Sequence, residues 1–307
     1  MGQQESVVDY FPIIEVPEDA DQSNEDMGTK YKFWYNHPEL GRCLFKQARP
    51  NTGEDWAEKL TTALCQKLNL PHAQYELATF KNYPGSISRS MLPTNALLQH
   101  GNEILASRVS SYPTAKTYGV QQHTIDLIIQ AIDSPNVRRP YGSTLPEGIN
   151  SAIDTFIGYI MLDTWICNSD RHHENWGFVV LNNKSYLAPT YDHGSSLGRE
   201  LLDSKRESIF ANGFVENYIK KSRSAMYRTV NDKKALLNLE AFQIIAERYP
   251  QAAMTWLKKL AQISPDDIKE TLIKVPESRL SPISCKFTHE ILIRNQIHLL
   301  HLRDSLS

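Results

Sequence analysis

The sequence predicts an α+β fold in two lobes, with a small mixed β-sheet lobe followed by a larger, mostly helical lobe. Short segments rich in aromatic and β-branched residues dominate residues 1–92, where one helical pattern occurs. From about residue 121 onward, apolar residues recur mainly at helical spacing. A chain of 307 residues is also long enough for two lobes. We therefore expect an N-lobe over 1–92, a connecting segment over 93–120 and a C-lobe over 121–307.

The N-lobe is expected to begin with a short strand near 7–14 and an exposed acidic loop. Aromatic and alternating residues then predict strands at 30–35 and 42–46, which form a hairpin around the turn residues 37–41. Apolar residues at helical spacing predict one helix that starts after Thr52 and ends at Asn69 and Pro71. Two more strands are expected at 75–80 and 85–92.

The connecting segment is polar and rich in Ser, Thr, Asn and Pro. Periodic apolar residues predict the C-lobe helices, at 122–133, 150–167, 239–248, 252–262, 265–273 and 289–302. Residues 168–200 interrupt this pattern with short strands and loops. Because ligands favour clefts between lobes, these loops are the expected place for a site.

Composition restricts the partners and the compartment. Lys and Arg total 33 against 35 Asp and Glu, so direct binding of nucleic acid is not expected. The four cysteines are scattered without a C-x-x-C pair, which indicates a reducing, cytoplasmic location, with a secreted effector role left open. No apolar stretch approaches the length of a membrane span. The start of the chain fits an N-myristoylation pattern, so membrane contact is expected only if Gly2 is modified.

The most informative segment lies after the helix at 150–167. Asn175 follows Asp170 at the Asp-x4-Asn spacing, and Asp192 comes after an apolar run that can form a hairpin. Phosphoryl transfer needs an Asp to accept the proton of the attacking hydroxyl, and an Asn and a second Asp to hold Mg²⁺. Asp170 and Asn175 alone could equally cap a helix or shape a turn. The added Asp192-His193-Gly194 favours the phosphoryl-transfer interpretation.

The N-lobe offers residues that could hold phosphate groups. Lys46 ends the second hairpin strand, and Glu58 lies in the first turn of the helix that follows, with Glu54 and Asp55 as competing acids. A solvated strand end and an acid favoured by the helix dipole are the ordinary interpretations of Lys46 and Glu58. Gly28, Thr29 and Lys30 precede the first hairpin strand, where a glycine can let backbone N–H groups approach phosphate. A plain glycine turn explains them nearly as well.

Several of these segments together resemble one family. They are Gly28-Thr29-Lys30, Leu44-Phe45-Lys46, residues 53–59, Asn69-Leu70-Pro71-His72-Ala73, Ile87-Ser88-Arg89, residues 100–103, Asp170-Arg171-His172, Asn175-Trp176-Gly177-Phe178 and residues 189–197. In them the chain resembles the HipA-like C-terminal kinase domain, including its CtkA-type single-domain kinases. The likeness covers about residues 28–200, and the helical remainder more loosely.

The resemblance implies a two-lobed, protein-kinase-like fold that uses ATP and Mg²⁺ to phosphorylate Ser or Thr of a protein substrate. By position, Asp170 would be the base, Asn175 and Asp192 the metal ligands, and Lys46 the phosphate clamp, with Glu58 behind it. His172 would support Asp170 by a hydrogen bond, and His173 would be exposed. The resemblance also assigns the adenine-reading hinge to Ser88, Arg89, Ser90 and Met91. Autophosphorylation would fall on Thr29, with Ser195 and Ser196 as alternatives.

Other functions remain open from the sequence. A toxin role with an antitoxin partner is one implication, although the roughly 30 residues before the kinase-like part are too few for the additional N-terminal subdomain of the long HipA toxins. The Asp170 motif also resembles the catalytic loop of phosphoinositide kinases. His172, His173, Glu174 and His193 could belong to a metal hydrolase, but no His-Glu-x-x-His occurs. A pseudokinase that binds nucleotide without catalysis is a further alternative.

Overall fold

The computed structural model describes residues 8–20, 23–24, 31–304 and 306. Its strands are β1 (Ile13–Glu15), β2 (Ser23–Asn24), β3 (Lys32–His37), β4 (Gly41–Gln47), β5 (Tyr75–Phe80), β6 (Tyr83–Arg89), β7 (Leu97–His100), β8 (Val137–Arg138), β9 (Gly177–Leu181) and β10 (Lys184–Leu187). Its helices are α1 (Glu54–Leu68), α2 (Gly101–Ala106), α3 (Ile125–Ile132), α4 (Ala152–Trp165), α5 (Asp203–Ala211), α6 (Val215–Ile219), α7 (Asn238–Arg248), α8 (Pro250–Ala261), α9 (Pro265–Ile273) and α10 (Pro282–Arg303).

A six-stranded mixed sheet forms the N-terminal part, in the order β1-β5-β6-β4-β3-β2. The strand β1 runs parallel to β5, and the other neighbours are antiparallel. The predicted hairpin is β3 and β4, whose turn ends at Gly41 with a φ of 73°, a value that suits glycine. Phe33, Phe45 and Phe80 contact one another on the buried face of the sheet. Burial of these aromatic side chains determines which face of each strand is turned away from solvent.

The helix α1 packs against β5 and β6 on one side and touches α8 and α9 on the other. Leu60, Leu64 and Leu68 are fully buried at the predicted spacing. The helix ends at Asn69, whose φ of 55° is left-handed, in agreement with the predicted stop. Helix α1 therefore belongs to the sheet lobe but also lies against the helical one.

The helical part is built around α4, which is buried along almost its whole length. Ser151 caps its start by accepting a hydrogen bond from the Asp154 N–H, while the Asp154 carboxylate accepts from the Ser151 N–H. Helices α3, α7, α8 and α10 pack around α4. Because nearly all side chains of α4 are buried, the helix lies at the centre of the helical layer.

A second sheet, in the order β7-β9-β10-β8, lies beside α4. Its central hairpin, β9 and β10, pairs Phe178 with Leu187 and so brings the segments before β9 and after β10 together. The polar segment at 93–120 contains β7 and α2, neither of which we predicted. A four-residue strand gives little periodic signal, and β7 is held by its pairing with β9.

Two further helices, α5 and α6, were not expected from the sequence. Helix α5 is mostly polar, and Arg206 and Ile209 are its buried residues, so no apolar stripe marks it. Helix α6 has only five residues. The other predicted C-lobe helices are present, with ends that differ by a few residues, apart from α10, which starts at Pro282 rather than 289. The lobe boundaries at 92 and 121 stay predictions.

The remaining sequence expectations concern membranes and cysteines. Within the part of the chain that the structure describes, no helix is both long and apolar enough to cross a membrane.

All four cysteines are reduced, and Cys65 and Cys167 are buried among apolar side chains as expected. Burial raises the pKa of the Cys167 thiol to about 11, so it stays protonated at neutral pH. Gly2 lies outside the described residues.

Candidate active site

Two loops meet at the candidate site. Residues 166–176 connect α4 to β9, and residues 188–199 follow β10. The β9–β10 hairpin holds the two loops side by side, and the first backbone link between them runs from the Ala188 N–H to the Gly177 carbonyl at 2.9 Å. The hairpin predicted between Asn175 and Asp192 is therefore β9 and β10, and it brings those two residues to the same side of the molecule.

The buried side chain of Arg171 ties both loops to α4. Its guanidinium donates to the two carboxylate oxygens of Asp163 at 2.8 and 2.7 Å. It also donates to the Asn175 carbonyl at 2.6 Å and to Thr190 Oγ1 at 2.9 Å. Arg171 is 1% exposed, so every one of these hydrogen bonds forms away from water. Sequence reasoning missed this role, and an Asp within an otherwise apolar helix was the available signal.

Asp170 is held by its own backbone. Its N–H donates to Asn168 Oδ1 at 3.2 Å, and its carbonyl accepts from Asn175 Nδ2 at 2.7 Å. Asn168 in turn donates to Asp163 at 2.8 Å. The bond through Nδ2 leaves the amide oxygen of Asn175 as the atom of that side chain that could bind a metal. The structure thus brings Asp170 and Asn175 together in one hydrogen-bonded loop.

Lys46 and Asp192 meet across the two lobes. Lys46 Nζ lies 3.1 Å from Asp192 Oδ2, and the N–H of Asp192 donates to the Tyr75 hydroxyl at 3.1 Å. Burial alone would lower the pKa of Lys46, but the charges of Asp192 and Glu58 outweigh it and raise the pKa above its usual value. Asp192 has a φ of 58°, a left-handed backbone that Asp adopts more readily than most non-glycine residues.

Glu58 is the α1 acid that faces this pair. Its Oε2 accepts a hydrogen bond from the His193 N–H at 2.9 Å. Glu58 therefore contacts the residue after Asp192 while its charge acts on Lys46. The two competing acids have other partners, because Glu54 pairs with Arg49 and Arg199, and Asp55 pairs with Arg279.

The two adjacent histidines differ from expectation. His172 Nε2 lies 3.5 Å from Asp170 Oδ1, which is longer than an ordinary hydrogen bond. Burial lowers the pKa of His172, although Glu174 opposes this effect, so the ring is neutral at pH 7. The expectation that His173 is exposed is wrong. It is 1% exposed and pairs with the Tyr112 hydroxyl at 2.9 Å, because the loop turns it inward against His123.

The predicted hinge residues lie at the end of β6. Ser88 pairs with Leu44 and Tyr75 in neighbouring strands, and the Ser90 N–H donates to the Arg42 carbonyl at 2.9 Å. Met91 packs against a cluster with members from both lobes: Ala73, Tyr75, Val179, Ala188 and Tyr191. A cavity of about 370 Å³ lies next to this segment. Arg89 and Ser90 line it, whereas Lys46 and Asp192 do not.

The predicted phosphate loop of Gly28, Thr29 and Lys30 lies outside the described residues. Across residues 8–20, 23–24, 31–304 and 306, no three His, Cys, Asp or Glu side chains are grouped as a metal site, which leaves the hydrolase alternative without ligands there. Asn175 and Asp192 together offer the oxygen donors that Mg²⁺ prefers, and they fit a metal held mainly by phosphates.

Comparisons with known proteins support the fold. No protein-family model matches the sequence, and no curated protein matches it. The structure is similar to the Helicobacter pylori proinflammatory kinase CtkA, with a TM-score of 0.76, 17% identity, and coverage of 96% of this chain and 100% of that one. It is also similar to a chain of the Shewanella oneidensis MR-1 toxin–antitoxin complex of HipA, HipB and operator DNA. That match has a TM-score of 0.59, 13% identity, and coverage of 93% of this chain and 68% of that one. The chain therefore has the predicted α+β, kinase-like fold, of the type seen in CtkA and in the HipA system.

Proposed function

We propose that the chain is an ATP- and Mg²⁺-dependent serine/threonine protein kinase. The observation that carries the proposal is the 3.1 Å contact between Lys46 and Asp192. It brings the residue proposed to bind phosphate, from one lobe, against the residue proposed to bind the metal, from the other. Asp170 and Asn175 lie in the loop that the β9–β10 hairpin places beside Asp192. The similarity to a kinase fold supports the same conclusion.

Each side chain has a role that its chemistry allows. Asp170 would accept the proton of the attacking hydroxyl, a step that contributes about 10²–10⁴-fold in enzymes that use it. Lys46 would bind phosphate oxygens with its compact positive charge, and Glu58 would keep the Asp192 segment close to it. Asn175 and Asp192 would hold Mg²⁺, which when bound neutralises charge on the phosphates.

The acceptor and the partners are the less constrained part of the proposal. We propose a protein Ser or Thr as acceptor on the basis of the family resemblance. An antitoxin-like partner, a secreted role and autophosphorylation at Thr29 stay predictions. Phosphopeptide mapping of the protein after incubation with ATP tests the last of these, and an unmodified Thr29 would contradict it.

The proposed function is tested by incubating the purified chain with γ-labelled ATP and Mg²⁺. Separate reactions contain a mixed protein acceptor or phosphoinositide vesicles. We expect label on protein and a loss of at least about 10²-fold in Asp170→Asn, because the amide cannot accept the proton. The control is Asp126→Asn, the same change at a surface ion pair with Arg248. Label on phosphoinositide alone would make the chain a lipid kinase, and no label on any acceptor would refute catalysis.

A further inference from the structure

The loop after Asp192 carries two polar side chains that the proposed chemistry does not use. Ser195 Oγ lies 3.3 Å from Asp170 Oδ2, the carboxylate of the proposed base. Arg199 Nη2 donates to the same Ser195 hydroxyl at 3.2 Å. The three side chains thus form a continuous chain from a guanidinium through a hydroxyl to a carboxylate.

The direction of these hydrogen bonds follows from the donors and acceptors available. A guanidinium can only donate, so the Ser195 oxygen accepts from Arg199. The hydroxyl has one hydrogen, and an ionised Asp170 can only accept, so that hydrogen points at Asp170 Oδ2. Arg199 therefore fixes the rotation of the Ser195 hydroxyl, and the hydroxyl fixes one oxygen of Asp170. At 3.3 Å the bond to Asp170 is long for a hydroxyl donor, so its contribution is to direction rather than to strength.

Arg199 is anchored at its other end to α1. Its Nη1 lies 3.1 Å from Glu54 Oε1, and its carbonyl accepts from the Gly53 N–H at 2.9 Å. Glu54 is 4% exposed, which makes its ion pairs less sensitive to solvent than those of a surface residue. The Ser195 carbonyl also accepts from the Ser169 N–H at 3.1 Å. Both backbone and side chain therefore hold this segment between α1 and Asp170.

We propose that Ser195 and Arg199 are positioning residues that orient the Asp170 carboxylate and link its orientation to the start of α1. The proposal rests on the proposed function, in which Asp170 is the base. The Glu54–Arg199 ion pair then becomes a second connection between α1 and the site. The first is the hydrogen bond that Glu58, four residues later in α1, accepts from the His193 N–H. A shift of α1 would then disturb the base as well as the Lys46–Asp192 pair.

The test measures phosphotransfer to protein in Ser195→Ala, Arg199→Gln and the double variant. Because a misplaced base slows the chemical step without removing a nucleotide contact, we expect kcat to fall about 5–30-fold while the KM for ATP changes less than about twofold. Ser195→Thr keeps the hydroxyl and should restore most of kcat. The kcat of the double variant should be no lower than that of the less active single variant, because both residues act on Asp170 through the same hydrogen-bond chain.

Controls separate this role from a general loss of structure. Ser208→Ala changes an exposed residue of α5, and Arg294→Gln changes a half-exposed residue of α10 that pairs with Glu290. Both make the same chemical changes away from the site and should keep the wild-type kcat. Hydrogen exchange of residues 168–175, measured without nucleotide, should speed up in Ser195→Ala and Arg199→Gln but in neither control.

The outcomes distinguish the two proposals. An unchanged kcat in Ser195→Ala, equal losses in Ser195→Thr and Ser195→Ala, or additive losses in the double variant would overturn the positioning role. A wild-type chain that transfers no phosphate would overturn the proposed function instead. If the wild type transfers no phosphate, hydrogen exchange of residues 168–175 still tests whether Ser195 and Arg199 hold that loop. Unchanged exchange in Ser195→Ala and Arg199→Gln would then overturn the positioning role as well.

Discussion

Replacing Arg171 with Met tests whether the buried network holds the two site loops. The substitution keeps much of the side-chain volume but removes the donors to Asp163, Asn175, Tyr191 and Thr190. It leaves the Asp163 carboxylate, with 2% of its side chain exposed, without its guanidinium. Breaking a buried ion pair from one side typically costs about 3–5 kcal/mol, because the remaining charge stays buried.

The expected size can be read from thermal unfolding followed by circular dichroism. For a chain of this length, 1 kcal/mol corresponds to about 2 °C in Tm, so Arg171→Met should lower Tm by about 6–10 °C. Arg171→Lys keeps a charge but cannot donate to Asp163, Asn175 and Thr190 at once, so it should lose nearly as much. Replacing Asp163 by Leu in the Arg171→Met background should recover part of the loss, because it removes the stranded charge.

The matched control is Arg248→Met, which breaks a surface pair with Asp126. Surface pairs contribute about 0–1 kcal/mol, so its Tm should change by no more than about 2 °C. If Arg171→Met unfolds within 2 °C of the wild type, the reasoning that this network organises the site is refuted. A Tm loss without any loss of phosphotransfer at 20 °C would show that the network stabilises the fold but does not set the loop geometry.

Three further predictions address the metal ligand, the pH dependence and the loop packing. Asp192→Asn should weaken binding of Mg·ATP by at least about tenfold in a calorimetric titration, since it removes the charge proposed to hold the metal, and unchanged affinity would contradict that role. Burial lowers the pKa of His123 from 6.5 to about 3, so only the unfolded chain takes up this proton between those values. The free energy of unfolding should then fall as pH decreases from 6.5 towards 3, by up to about 1.4 kcal/mol per pH unit, and urea midpoints for the wild type and His123→Gln should show the smaller slope in the variant. Gly177→Ala should destabilise the chain by more than about 1 kcal/mol in urea unfolding, because the new Cβ would lie 2.2 Å from the Gln99 carbonyl oxygen, and a neutral result would mean that β7 moves aside without cost.

The sequence was most informative where neighbouring residues decide the structure. The β3–β4 hairpin and α1 follow from alternation, turn residues and helical spacing, all of which are local. Asp170, Asn175 and Asp192 could be grouped because a hairpin of adjacent strands connects them. The fold class is confirmed, whereas the roles of these residues stay proposals.

What the sequence could not supply was the direction of side chains in loops. Nothing in the spacing shows that Arg171 points inward to Asp163 or that His173 is buried against His123. The same limit applies to Ser195, which looks like an ordinary turn residue after a glycine. Whether such a residue faces solvent or Asp170 depends on the loop path, which contacts distant in sequence determine.

The acids at the start of α1 show how much depends on those distant contacts. From sequence, acids in a first turn are explained by the helix dipole, which contributes at most about 1 kcal/mol at an exposed site. In the structure, Glu54 binds Arg199, Asp55 binds Arg279, and Glu58 binds the His193 N–H. All three acids are buried, so each of these contacts replaces water as a partner of a buried carboxylate, and losing one would be costly. Glu54 and Asp55 lie in the first turn of α1 and Glu58 in the second. Because all three partners lie in the C-terminal part of the chain, the start of α1 cannot move away from the site without breaking these contacts together. The position of Lys46 against Asp192 is therefore tied to helix α1 as well as to β9 and β10, the two strands that hold the site loops.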